Sequence, residues 1–228
     1  MDRHLLKRRH ASSAVLVIGL GRFGSAVASS LIRQGREVLA VDTDPILVQR
    51  YADELTYVVQ ADATDDEVLE QLGVRDFEHA VVAIGQDIEA SVLTTLSLAQ
   101  ADVKNIWAKA ISHKHGEILD RVGAHRVFYP ETSVGEQVAH LIVGGMSQYL
   151  ELEDDFAIAR TLAPKEMGDR TLEDSGVRTK YGVTVVGIKR VGQDFIYAKP
   201  HTVVDPRDEL VVAGATRKVE RFCALTDG

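Results

Sequence analysis

From residue 14 to 147, short runs rich in β-branched residues alternate with longer amphipathic stretches. That rhythm predicts parallel strands joined by crossover helices. Six strands are expected, over 14–18, 37–41, 57–60, 79–84, 105–108 and 126–129. Several of them, such as VLVI and VVAI, are apolar almost throughout, as strands buried on both faces must be. Helix starts are marked by Asp44-Pro45, which supplies an N-cap with proline at the first helical position, and by the capping boxes Thr64-x-x-Glu67 and Ser133-x-x-Glu136. The last helix of the series is expected over about 133–149, running into an acidic joint at 148–155.

Beyond the joint the rhythm changes. Phe156, Ile158, Arg160 and Leu162 predict a strand, 171–177 a short helix, 182–189 and 195–199 paired strands joined at Gly192, 208–213 another strand, and 217–225 a closing helix. The expected fold class is therefore α/β: a Rossmann-type doubly wound parallel sheet over 12–147, followed by a small α+β domain over 156–228. Residues 1–11 stand apart as a basic tail with Arg3, Lys7, Arg8 and Arg9 and no core pattern; such a tail is either solvated or touches a partner or anionic lipid.

Composition narrows the function classes only modestly. At 228 residues, 45% hydrophobic and 26% charged, the chain is long enough for two domains with real cores. A net charge of -8 argues against nucleic acid as a main partner, because that binding rests on neutralising phosphates with Lys and Arg. Cys223 is the only cysteine, so no intrachain disulfide can form and a reducing cytoplasm is the natural setting. No apolar run approaches the ~18–20 residues that cross a bilayer, so a membrane role is expected to come through a partner.

The chemistry-bearing motif is Gly19-Leu20-Gly21-Arg22-Phe23-Gly24. A lone GxGxxG is weak, but this one follows an apolar strand, opens a helix at about Arg22 and precedes Asp42-Thr43 at the end of the second strand. Gly19 permits the tight turn, Gly21 lets backbone approach a phosphate, and Gly24 lets the helix pack on the strand. The helix N-terminus then offers unpaired N–H groups to an anion. Asp42 would accept from ribose hydroxyls and repel a 2′-phosphate, so NADP is not expected. Arg22 reads either as a partner for a terminal phosphate, which suits ATP or ADP at least as well as a dinucleotide, or as a surface arginine at a helix start.

Further candidates lie at the carboxyl ends of the next strands. Asp62-Ala63-Thr64 and Ala83-Ile84-Gly85 are small and polar where a base would rest, although Asp62 reads equally as a helix-approach acid. Lys109 ends NIWAKA and Glu131 follows RVFYP, and both could converge on phosphates. A carboxylate there makes sense with a divalent cation, Mg or Ca, between it and the phosphates; otherwise Glu131 favours the following helix dipole. The cluster His113-Lys114-His115 is read as a solvated helix start rather than a metal site.

The strings IGLGRFG, VVAIGQDIEASVLTTL, NIWAKA, HRVFYPETSVG and VRTKYGVTVVGIKR, with Val41-Asp42, together resemble one family. It is that of the RCK-domain cytosolic regulatory subunits of Ktr and Trk potassium transporters, and the likeness is greatest to the KtrA type. The resemblance implies a non-enzymatic, nucleotide-sensing gating ring, in which homodimers assemble into an octamer under a membrane-embedded potassium translocating subunit. The chain would then be cytoplasmic, held at the inner face of the cell membrane through that partner. Bound ATP or ADP, alternatively NAD or NADH, would change the ring's shape. Carried over by position, the glycine turn and Arg22 match phosphate contacts, Asp42 a ribose contact, Lys109 a further nucleotide contact and Glu131 a divalent-cation position. Some relatives bind cyclic di-AMP in the C-terminal domain through an arginine that Arg178 matches, although Leu172-Glu173 places an acid where that pocket is apolar. Two rival readings remain: an NAD-dependent oxidoreductase, for which no hydride-transfer constellation is evident, and a DNA-binding repressor, against which the acidic balance argues.

Overall fold

The computed structural model describes residues 14–152 and 155–226. The basic tail over 1–11, and Glu153 and Asp154 of the expected joint, lie outside the described residues. The chain divides into two compact units between Glu131 and Thr132.

In the first unit six strands, β1 (Val15–Ile18), β2 (Val38–Asp42), β3 (Tyr57–Gln60), β4 (His79–Val82), β5 (Asn105–Lys109) and β6 (Arg126–Phe128), form one sheet in the order β3-β2-β1-β4-β5-β6. Every pairing is parallel, with Val15 opposite both Val38 and His79. The helices between them are α1 (Arg22–Arg33), α2 (Pro45–Tyr51), α3 (Asp66–Gln71), α4 (Ile88–Gln100) and α5 (His113–Arg121). All four side chains of β1 are buried because the sheet is covered on both faces. Leu16 and Ile18 pack with Val82, Leu98, Ile106 and Leu119 on one face, and Val15 and Val17 with Leu20, Ala28 and Val38 on the other. Burying each Val, Leu or Ile side chain among them contributes about 1.5–3 kcal/mol. Strand order reverses between β1 and β4, which is where an open α/β sheet leaves its ligand crevice.

Two expected capping boxes are corrected. The cap of α3 is Asp65, whose carboxylate accepts from the Glu67 N–H, because Thr64 is drawn instead to Asp62. The next helix, α6 (Pro130–Val143), starts at the proline, so Ser133 is interior. That helix also ends earlier than expected, at Val143, before Gly145 in the left-handed region at φ +58°.

Where the sequence suggested a helix end and a joint, β7 (Met146–Leu152) is a strand paired antiparallel with β8 (Phe156–Leu162). A bulge between Met146 and Gln148 puts the buried Met146 and Tyr149 three apart, a helix-like spacing that hides the strand's period. With β10 (Thr184–Lys189), β11 (Phe195–Tyr197) and β13 (Glu209–Ala215) these strands form an antiparallel sheet in the order β11-β10-β13-β8-β7, and β9 (Arg170–Thr171) pairs with β12 (Val203–Val204). The helix expected over 171–177 is two, α7 (Leu172–Ser175) and α8 (Val177–Tyr181), broken at left-handed Gly176. The closing α9 (Thr216–Cys223) buries Val219, Phe222 and Cys223 against Leu210, Val212 and Ile188. Among the described residues no helix is long and apolar enough to cross a membrane.

Candidate functional site

At the carboxyl edge of the parallel sheet, around the reversal of strand order, lies a cavity of about 770 Å3 formed wholly within the first unit. Its floor is the glycine turn between β1 and α1. Gly19 sits at φ +94°, and a Cβ there would meet Ala83 and Ile84 backbone at 3.1–3.3 Å, so the turn fits only against the start of the next loop. A Cβ on Gly24 would overlap the Gly19 carbonyl oxygen, so this glycine lies beneath the cavity rather than on its wall. Gly21 has open space where a Cβ would point and is the N-cap of α1, with no side chain capping the helix and no acid in its first turn. Unpaired N–H groups and the positive end of the helix dipole are therefore left for an anion.

Asp42 ties the turn to β2. Its Oδ2 accepts from the Leu20 N–H at 2.5 Å and its Oδ1 from the Asp44 N–H at 2.8 Å, which fixes the carboxylate and leaves further lone pairs for hydroxyl donors. Asp62 accepts both the Thr64 N–H at 2.9 Å and the Thr64 hydroxyl at 2.7 Å, and these bonds hold its carboxyl below the usual range. Ala63 is buried beside it and its carbonyl accepts from the Thr94 hydroxyl on α4 at 3.2 Å.

On the opposite wall Lys109, at the end of β5, donates to Glu131 at 2.6 Å. The lysine side chain is only 12% exposed and the glutamate 63%, so the pair is anchored on the lysine side. Lys109, then the backbone at Glu131 and the more distant Arg22, hold the Glu131 carboxyl below its usual range. Gly85 makes room for this lysine, since a Cβ there would lie 3.1 Å from its Nζ. The ammonium also sits 5.9 Å from the centre of the Phe23 ring. The cavity thus carries Arg22, Lys109 and its partner Glu131 toward one side, and the carboxylates of Asp42 and Asp62 at the ends of β2 and β3 on the other.

Of the residues singled out in the sequence, Gly19, Gly21, Arg22, Phe23, Asp42, Thr43, Asp62, Ala63, Thr64, Ala83, Gly85, Lys109 and Glu131 all line this one cavity. Gly24 packs beneath it. The sequence reading missed the contribution of α4: Asp87 caps that helix by accepting from the Ala90 N–H, and Glu89, Ala90, Leu93 and Thr94 complete the wall. An aspartate two residues after Gly85 was the available cue. Arg178 is elsewhere, exposed on α8 beside a shallower depression of about 590 Å3 lined also by Phe156, Thr184, Val186 and Gly214. The reading of 113–115 as solvated holds for His113 and Lys114 but is corrected for His115, which is buried.

Residues 15–130 match the TrkA-N domain and residues 159–227 the TrkA-C domain. Over 207 residues the chain is 39% identical to Ktr system potassium uptake protein A of Bacillus subtilis (strain 168), covering 90% of this chain and 93% of that protein. It is 38% identical to Ktr system potassium uptake protein C of the same organism, over 90% and 94%. Among solved structures, the GsuK channel bound to NAD aligns with a TM-score of 0.66 at 18% identity, over 95% of this chain and 40% of that one. GsuK bound to ADP aligns with a TM-score of 0.50 at 19% identity, over 58% and 35%. The chain spans less than half of each GsuK chain, and at such identities the likeness shows the fold alone. The two domain matches, in this order and joined to near full-length identity with the Bacillus proteins, show that the chain belongs to the TrkA-N/TrkA-C family of Ktr potassium uptake proteins.

Proposed function

We propose that this chain is a nucleotide-sensing regulatory subunit that governs potassium flux through a membrane-embedded partner, acting as one subunit of a cytosolic gating ring. The observation that carries the reading is the convergence of the glycine turn, Arg22, Asp42 and Lys109 on one cavity at the strand-order reversal, in a chain whose relatives are potassium uptake proteins by name. In this reading the domain over 12–147 holds the nucleotide and the domain over 156–228 assembles homodimers into the octamer. The α1 N-terminus and Arg22 take the phosphates, Asp42 and Thr43 the ribose, and Asp62-Ala63-Thr64 with Ala83 and Gly85 the base. Lys109 leaves Glu131 for a terminal phosphate, which frees the carboxylate for a divalent cation, Mg or Ca. The names of the relatives lend the oxidoreductase reading no support.

A nucleotide moves a gate only by binding one ring conformation better than another, and couplings of ~1–3 kcal/mol are typical. Arg22 reaching a γ-phosphate would supply such a difference between ATP and ADP. ADP and NAD, each present in a GsuK structure, are the ligands to compare with ATP and NADH. Calorimetry of ATP, ADP, NAD and NADH on purified protein, with particle size followed by light scattering, tests this in the wild type and in Arg22→Ala. The expected result is ATP and ADP binding to an octamer-sized particle, with the substitution weakening ATP about tenfold more than ADP. Binding of NAD or NADH alone, to a dimer, would overturn the ATP- and ADP-driven octameric ring proposed here and reopen the enzyme alternative.

A further inference from the structure

His115 is 2% exposed, although it sits in the first turn of α5 between the exposed His113 and Lys114 and the following exposed Glu117. Its placement closes the connection between β5 and α5. The His115 N–H donates to the Ser112 Oγ at 3.2 Å, and its ring Nδ1 accepts from the Ile111 N–H at 3.4 Å. The proton must therefore be on Nε2, which is buried and has no hydrogen-bond partner among the described residues. Ile111, the residue held by the ring, lines the nucleotide cavity two positions after Lys109 and is itself 47% exposed.

We infer that His115, in its neutral form, is a positioning residue for the cavity: through its Nδ1 it holds Ile111 and the end of β5 in the arrangement that accepts a nucleotide, and protonation releases them. This rests on the nucleotide reading given above. The chemistry is a matter of donors and acceptors. A protonated ring carries N–H on both nitrogens, so Nδ1 would point a donor at the Ile111 N–H, and a cation would stand in a buried site. Burial alone pushes the His115 imidazole below its ordinary value, so the folded protein favours the neutral ring near pH 7.

The groups around it offer no charge to offset a proton. On α5 itself His113 and Glu117 pair with each other at 3.4 Å at the surface. The Tyr129 hydroxyl, after β6, presses on Gly116, and Lys109 on β5 is engaged with Glu131. On α4, which packs against α5, the buried polar groups are the hydroxyls of Ser91, Thr94 and Thr95, while Glu89 lies at the cavity.

The test uses the full-length chain, with NAD and ADP as probes, in the wild type, His115→Asn and His115→Phe. Asparagine keeps an acceptor near the Nδ1 position without a proton to gain, whereas phenylalanine keeps the ring and loses the acceptor. Between pH 7.5 and 5.5 the wild-type affinity is expected to fall about threefold more than that of the asparagine variant, because a ring held below its ordinary value takes up on average only about a quarter of a proton per pH unit in that window. The phenylalanine variant is expected to bind about fivefold more weakly at pH 7.5. NAD has no phosphate that titrates in this range, so its slope reads the protein. Equal slopes in wild type and His115→Asn would overturn the inference. If the wild type binds neither probe at pH 7.5, the nucleotide reading fails instead, and hydrogen exchange at the Ile111 amide without ligand decides the matter. Loss of protection on acidification in the wild type but not in His115→Asn sustains the positioning role; no difference between them ends it.

Discussion

The two units use sheets of similar size to opposite ends. In the first, every strand is parallel, so each strand's carboxyl end meets a fresh loop and helix start, and the reversal of strand order at β1 and β4 opens a crevice there. In the second, antiparallel strands return through hairpins, and charged side chains pair across strands and turns: Arg160 with Glu209, Arg190 with Asp208 at 3.2 Å, Lys180 with Glu166 at 2.8 Å. Topology, before any particular side chain, decides where a ligand-sized cavity can form. Burial acts alike in both units by favouring the neutral form: it depresses His115 in the first, and in the second burial, then Glu151 and Glu220, push the Tyr149 phenol up to about 12.

The sharpest way to break that comparison is to fill the space under the glycine turn. Gly24→Val drives carbons into the Gly19 carbonyl and is expected to cost about 3 kcal/mol or more, read as a lower urea midpoint for the transition of the first unit. Survival of that unit at wild-type stability would mean the turn is not held by close packing.

Next in size is Tyr149. Its phenol stays protonated in the folded state to about pH 12, while an unfolded phenol ionises near 10, so the stability it contributes is present below pH 10 and lost as pH rises from 10 to 12. The hydroxyl is buried with no partner at hydrogen-bonding distance among the described residues, although Glu151 and Thr216 lie near enough to influence its ionisation. Tyr149→Phe should therefore hold wild-type stability at pH 8 and exceed it by about 2 kcal/mol near pH 12, measured by thermal melts across that range. A variant weaker at both pH values would show that the hydroxyl is bonded after all.

The smallest effect sharpens the contrast in ligand chemistry. Lys109→Met should weaken ADP binding about tenfold and leave the C-terminal depression at Arg178 unaffected, so any cyclic di-AMP binding there, followed by calorimetry, should be unchanged. Loss of both would mean the two sites are not separable.

Much of this was readable before any coordinates. The parallel strands were legible because burial on both faces demands unbroken apolar runs, and all six appear within two residues of expectation at either end. The cavity wall was legible wherever a residue ends a strand, since the topology brings those ends together. The wall from α4 was not, because Ala90 and Leu93 look like ordinary helix residues until the helix is packed. Strand β7 escaped for a different reason: its bulge replaces the period of two with a spacing of three between Met146 and Tyr149. His115 escaped because its neighbours in sequence are charged and exposed, and burial of one residue in a polar turn leaves no periodic trace.

Cys223 closes α9 with no exposed surface at all, and it is the only thiol in the chain. A thiol-reactive dye can thus label the native protein only when the C-terminal unit opens. The labelling rate becomes a clock for the breathing of that unit alone, with no engineered probe, and nucleotides or potassium partners can be scored by how far they slow it.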